Sequence, residues 1–201
     1  FGSLGNVADS YLPGVTPGLS LRAKNELTNR MAESRIKKDV PSYSRSAVEQ
    51  EARALYEGFQ RAFAAGDVTA LRELCAPHVL TDTKSKLAGR VYSAAAVTRW
   101  EGSIDRCSLL TARFIPIDEM ALNFAQLAFR FDTRQRLCVV DEREGRPGKV
   151  VRELPWRDIE ETWVLERVTN RKDDRWKLCG FLPLPPGKLS LMEMQEQMKA
   201  K

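Results

Sequence analysis

The hydrophobic period of this chain changes once along its length, and that change sets its fold class. Val48, Ala52, Leu55, Tyr56, Phe59 and Phe63 recur at intervals of three and four, the repeat of a helix with one apolar face. From about Cys107 the interval is two. Over residues 125–139 the odd positions read Ala, Leu, Phe, Phe, Thr, Gln, Leu, Val, and the even ones carry Arg130, Asp132, Arg134 and Arg136. Helices followed by alternating strands with polar hairpin turns describe an α+β domain, with N-terminal helices packed on a curved antiparallel sheet, and not a parallel α/β fold. A long helix on such a sheet makes a cone-shaped body.

The punctuation predicts the elements. A polar helix spans residues 20–40 and stops before Pro41. Its Leu21, Leu27, Met31 and Ile36 form no stripe, so it reads as a poor core element. Ser46 and Glu49 stand at capping-box spacing ahead of the amphipathic helix, which Gly66 ends. Asp67 caps a second helix carrying Leu71, Leu74 and Cys75, closed by Pro77, and a short helix is placed at Ser93–Trp100. Strands are expected at 107–117, 123–140, 158–169 and 175–182, joined by hairpin turns at 142–149 and 170–174. The chain then divides into an extended basic arm with a polar helix (1–45), the α+β domain (46–183) and a Met-rich helical tail (184–201). The Gly- and Pro-rich stretch 1–20 holds neither helix nor sheet by itself and orders only against a partner. Phe1 in place of Met leaves open a removed targeting segment or an upstream boundary.

With 201 residues and 43% hydrophobic content the chain suits one globular domain with tails. It contains no apolar run long enough for a transmembrane helix. Cys75, Cys107, Cys138 and Cys179 form no CxxC pair, and His78 is the one histidine, so the composition calls for no metal or cofactor and reads the cysteines as buried thiols. The net charge is +5, unevenly spread: net +3 over residues 1–47, +4 over 84–113 and −4 over 153–166. That pattern suits a protein lying on RNA with one side and meeting another partner with the other, and equally a soluble protein whose surface charge is distributed at random. Arg22, Lys24, Arg35, Lys37, Lys38 and Arg45 in the arm are the expected RNA-binding residues, with Lys84, Lys86 and Arg90 added from the second basic region. Arg130, Arg134 and Arg136 line up on one strand face. They read either as a phosphate-contacting stripe or as a ladder of ion pairs to outward glutamates of the next long strand.

Catalysis has weak candidates. His78, Tyr92, Asp118 and Asp132 are the titratable groups a pocket could use, and no two share the spacing or strand parity of an acid–base couple. No GxSxG, GxGxxG or P-loop is present, so the chain reads as no enzyme.

Three blocks carry a resemblance. Phe131-Asp132-Thr133-Arg134-Gln135-Arg136-Leu137 with Val140-Asp141, then Trp163-Val164-Leu165-Glu166-Arg167-Val168-Thr169-Asn170, then Trp176-Lys177-Leu178 with Pro183 resemble, in order, the strands of the Tim44-like domain family, and within it the ribosomal branch of the mitochondrial large subunit. The resemblance covers roughly residues 20–183. It departs at Pro155–Glu161, in the loop 142–153 and in the Met-rich tail. It implies a structural role in the mitochondrial large ribosomal subunit near the polypeptide exit, on the matrix face of the inner membrane. The implied partners are ribosomal RNA, neighbouring ribosomal proteins, and the inner membrane or its insertase. The alternative it carries is a membrane-bound scaffold of the inner-membrane import motor.

Overall fold

A central strand of twenty residues organises the molecule. In a computed structural model, which describes residues 19–88, 96–141 and 148–182, this strand is β2 (Leu122–Asp141). On one side it pairs along its whole length with β1 (Ala96–Ile117). On the other it pairs first with β4 (Arg157–Val168) and then, beyond Leu137, with β3 (Lys149–Glu153). β5 (Lys177–Phe181) completes the antiparallel sheet beside β4. Four helices accompany it: α1 (Leu19–Asp39), α2 (Arg45–Ala65), α3 (Val68–Leu74) and α4 (Pro77–Ala88). This is the α+β arrangement of helices on an antiparallel sheet that the change of period implies.

The strand parity holds from Phe129 to Leu137, whereas nearer the ends of β2 the outward-parity Gln126, Ala128, Cys138 and Val140 are buried as well, Ala128 in a small second cluster with Val164 and Cys179. Ala125, Leu127, Phe129, Phe131 and Leu137 face inward and are buried. Against them lies the apolar face of α2, where Tyr56 stacks 4.6 Å from Phe131 and 4.4 Å from Trp163 between ring centroids. Phe59 meets Trp163 edge-on at 5.2 Å. Offset and edge-to-face pairs of this kind add to plain area burial.

Segments packed beside the sheet reach both of its outer strands, β1 and β5, with hydrogen bonds. β1 carries register shifts between Ile104 and Arg106 and between Leu109 and Thr111, the sites at which a long strand bends. Each leaves a carbonyl beside a helix. Arg53 of α2 donates to Ile104 O at 3.0 Å, and Asn29 of α1 donates to Leu110 O at 3.0 Å. At the far edge, Ala76 N donates to Leu178 O of β5 at 2.8 Å. That bond and the Cys75–Leu178 bridge occupy part of the free edge of β5.

Four expectations need correction. The stretch placed as a helix at Ser93–Trp100 is strand from Ala96 on, because the β-branched Val97 and Thr98 find partners in Val140 and Val139; residues 93–95 lie outside the described ones. The α2 cap is Ser44 and not Ser46: Ser44 is extended and its Oγ accepts from Ala47 N at 3.1 Å. Pro77 does not merely close a helix but opens α4, since proline suits the first helical position. The polar helix judged a poor core element is docked, with Ala32 and Ile36, and just beyond it Val40 and Tyr43, in the main apolar core. β3 falls in a stretch read as loop. Arm residues 1–18 and tail residues 183–201 lie outside the described residues.

Candidate functional site

α1 is fixed by polar groups. The Asn29 side-chain amide acts as a short strand: Nδ2 donates to Leu110 O, and Oδ1 accepts from the buried Ala112 N at 2.9 Å. At the helix end the Asp39 carboxylate accepts from Thr169 Oγ1 at 2.6 Å and Asn123 Nδ2 at 2.8 Å. These contacts clamp the C-terminal turn of α1 against the β1–β2 and β4–β5 turns. Arg35, Lys37 and Lys38 of that last stretch are exposed. Cations there also suit the negative end of the helix dipole. Arg22 and Lys24 belong to α1, but their side chains lie outside the described ones.

Arg45 stands apart from its predicted companions. Its guanidinium lies 2.7 Å from Glu33 and 3.4 Å from Glu26, so it ties α2 to α1. Lys84 and Lys86 are exposed on α4, which lies against β5. α1 lies against β1, at the other end of the strand order. The fold therefore does not bring the two predicted basic groups together. Arg90 lies outside the described residues, as does Tyr92.

The outward arginine row is mainly an ion-pair ladder. Arg130 reaches Glu160 at 3.1 Å and Asp132 at 3.0 Å. Arg136 reaches Glu101 at 2.7 Å and Glu153 at 2.6 Å, with its guanidinium 4.8 Å from the Trp156 ring centroid. The hydrogen bond from Arg136 holds the Glu101 carboxyl below its ordinary value. Arg134 is exposed and sits opposite Asp158 in the register. Trp100 is core, while Trp156 is 43% exposed.

One polar cluster escaped the sequence reading. Glu161 occupies an inward position of β4 between Ile159 and Trp163 and is buried. Tyr56 Oη donates to it at 2.7 Å, and Gln60 Nε2 approaches at 3.4 Å. Gln135 Nε2 donates to Tyr56 Oη at 3.2 Å and its Oε1 accepts from Trp100 Nε1. Burial first, then the Glu161 charge, push the Tyr56 phenol well above its ordinary value. The phenol–carboxylate hydrogen bond ties α2 to β4 inside the aromatic core. The signal was present: Glu161 is the one charged residue on the inward parity from Ile159 to Leu165.

The other titratable candidates stay separate. His78 is half-buried with Nε2 2.6 Å from Cys179 O, a carbonyl to which it donates. Asp132 belongs to the ion-pair ladder, and Asp118 is exposed in a 3₁₀ turn, Asp118–Met120. The four cysteines are free and buried, with burial pushing the Cys75 and Cys107 thiols up to about 12. Among the described residues no three His, Cys, Asp or Glu side chains group within reach of one metal ion, and no helix is long and apolar enough to cross a membrane.

Residues 30–182 match the family model described as the Tim44-like domain, which is most of the chain. That span takes in the second half of α1 and ends just after β5. No curated protein matches the sequence.

Proposed function

This chain belongs to the Tim44-like domain family, and from that membership we propose that it is a structural component of the mitochondrial large ribosomal subunit, near the polypeptide exit. Proteins with this domain are mitochondrial and associated with the inner membrane, and the domain is a non-catalytic scaffold. In this reading Arg35, Lys37 and Lys38 meet the phosphates of ribosomal RNA, with Arg22 and Lys24 along the same arm, while Arg45 contributes only what its pairing with Glu33 and Glu26 leaves over. Lys84, Lys86 and Arg90 form a second, separate contact. Neighbouring large-subunit proteins and the inner membrane or its insertase are the remaining partners. The observation that carries the reading is the exposed basic end of α1 on a helix clamped by Asn29 and Asp39. Cations on a rigid element place phosphates in register without reading bases, as ribosomal proteins do.

The test is sucrose-gradient sedimentation of detergent-solubilised mitochondria in low and moderate salt, following this chain. Co-migration with the large subunit that survives moderate salt is the expected result, and migration free of it refutes the proposal. A second reading, the membrane-bound scaffold of the import motor, draws on Leu27 and Met31. They are one helical turn apart and 62% and 59% exposed, beside the same cations. That reading predicts binding to anionic vesicles and no ribosomal association.

A further inference from the structure

We propose that the groove between α2, α3 and the β4–β5 turn is a docking site for a cationic peptide segment of a partner protein, one in which lysines or arginines alternate with apolar residues. The groove is an open depression of about 540 Å³. Its floor is apolar: Leu55 and Trp176 are buried and Leu74 is half-buried. Its rim is acidic. Glu51, Glu73 and Asp173 are exposed, and among the described residues none of the three makes a hydrogen bond or ion pair. A fourth carboxylate, Asp174, already accepts from Val168 N at 2.6 Å. Arg175 and Lys177 also border the groove, and Lys177 stands opposite Glu166 in the register. The balance is four carboxylates against two cations in a chain whose net charge is +5.

The charge selects the occupant. Phosphates of RNA or lipid meet repulsion at this rim, whereas a lysine or arginine lays its aliphatic stem on the apolar floor and its head between the carboxylates. Two walls come from helices already held by the core and the third from a turn braced by Asp174 on Val168 N, which lowers the cost of ordering on binding. The inference stands apart from the ribosomal reading, because the groove asks for a basic peptide whatever assembly supplies it.

The experiment is fluorescence polarisation with the full chain and a fluorescein-labelled nonapeptide of Arg-Leu-Ala repeats, against a Glu-Leu-Ala counterpart. Saturable binding of the basic peptide alone is expected. The double variant Glu51→Lys/Glu73→Lys should weaken it roughly tenfold or more, at rim-charge strength for each position. Asp82→Lys/Glu119→Lys makes the same change of net charge elsewhere and should leave affinity within about twofold. If the lysine variant melts early, Glu51→Gln/Glu73→Gln serves instead, with roughly threefold weakening. Equal binding of the acidic peptide, unchanged affinity in both groove variants, or an equal loss in the control pair overturns the proposal. So does a concentration-dependent dimer that the groove variant dissolves and that excludes the peptide, because the occupant is then a second copy of this chain.

Discussion

Asn29→Leu should release the main polar anchor of α1 on β1. The replacement keeps roughly the same volume in a position that is 4% exposed, but removes both ends of the amide clasp. Leu110 O loses a donor at 3.0 Å and Ala112 N loses an acceptor at 2.9 Å. Ala112 is fully buried, so its amide has no route to water. Two net hydrogen bonds are worth about 1 kcal/mol each, and an orphaned buried amide costs about 1–3 kcal/mol, with partial overlap between the two. The expected destabilisation is therefore about 2–4 kcal/mol. With a urea slope of about 2 kcal/mol per molar, the unfolding midpoint falls by about 1–2 M.

The loss has a ceiling with a distinct signature. If α1 detaches before the sheet melts, the cost stops at the free energy of undocking that helix. Hydrogen exchange then speeds up in residues 30–40 while the β2 and β4 amides keep their protection. Urea denaturation followed by tryptophan fluorescence, with native-state exchange, separates the two outcomes. A midpoint within about 0.2 M of the parent together with unchanged exchange in α1 refutes the argument that this amide holds the helix.

Gly102→Ala should cost about 1–3 kcal/mol in thermal unfolding, because a Cβ there stands 2.6 Å from the Trp100 ring and 2.9 Å from Gln135 Cβ; a stability within about 0.3 kcal/mol of the parent refutes the contact. Stability should hold from neutral pH to about 9 and then fall. Cys75 and Cys107 are raised from 9.0 to about 12 in the folded state, so the unfolded chain releases their protons first. The combined slope is at most about 2.7 kcal/mol per pH unit; Cys75→Ala/Cys107→Ala should flatten it in urea melts at pH 8 and 10. Reversing Arg35, Lys37 and Lys38 to Glu should lower affinity for an RNA duplex. It should also cut the slope of log affinity on log salt by about two to three, whereas Lys84→Glu/Lys86→Glu should change the slope separately and additively if the two basic groups act apart.

What the sequence disclosed depended on whether an element is held by apolar pattern or by individual polar contacts. α2 and β2 declare themselves because each buries one complete face, and their periods survive any detail of packing. α1 does not, because half its docking is done by Asn29 and Asp39, residues that in a sequence look like ordinary helix surface. The first part of β1 was hidden by weak local preference and is set by its pairing with Leu137–Asp141. Glu161 was legible as a charge on an inward parity but was passed over. For the candidate surfaces, the basic run at the end of α1 is visible as composition, while the tie of Arg45 to Glu33 is not. The acidic groove is invisible in one dimension, since Glu51, Glu73 and Asp173 come from three distant segments.

The acidic band of the C-terminal strands changes meaning once folded. Its Glu153 and Glu160 pair with Arg136 and Arg130, and Glu161 is committed to Tyr56 inside the core. Most of the negative charge that looked like a face is thus internal cohesion of the sheet. Among the described residues, exposed charge of opposite sign stands at the end of α1, positive, and at the rim of the groove, negative. The β4–β5 turn touches both: Thr169 holds Asp39 of α1, and Asp173 to Lys177 form one wall of the groove. Asp174 and Asn170 brace that turn through Val168 N and Ala121 O at 2.6 and 2.8 Å. If both proposals hold, a phosphate-bearing partner and a basic peptide are sorted to separate contacts beside one braced turn, each turned away from the other's site by the sign of the charge it meets there.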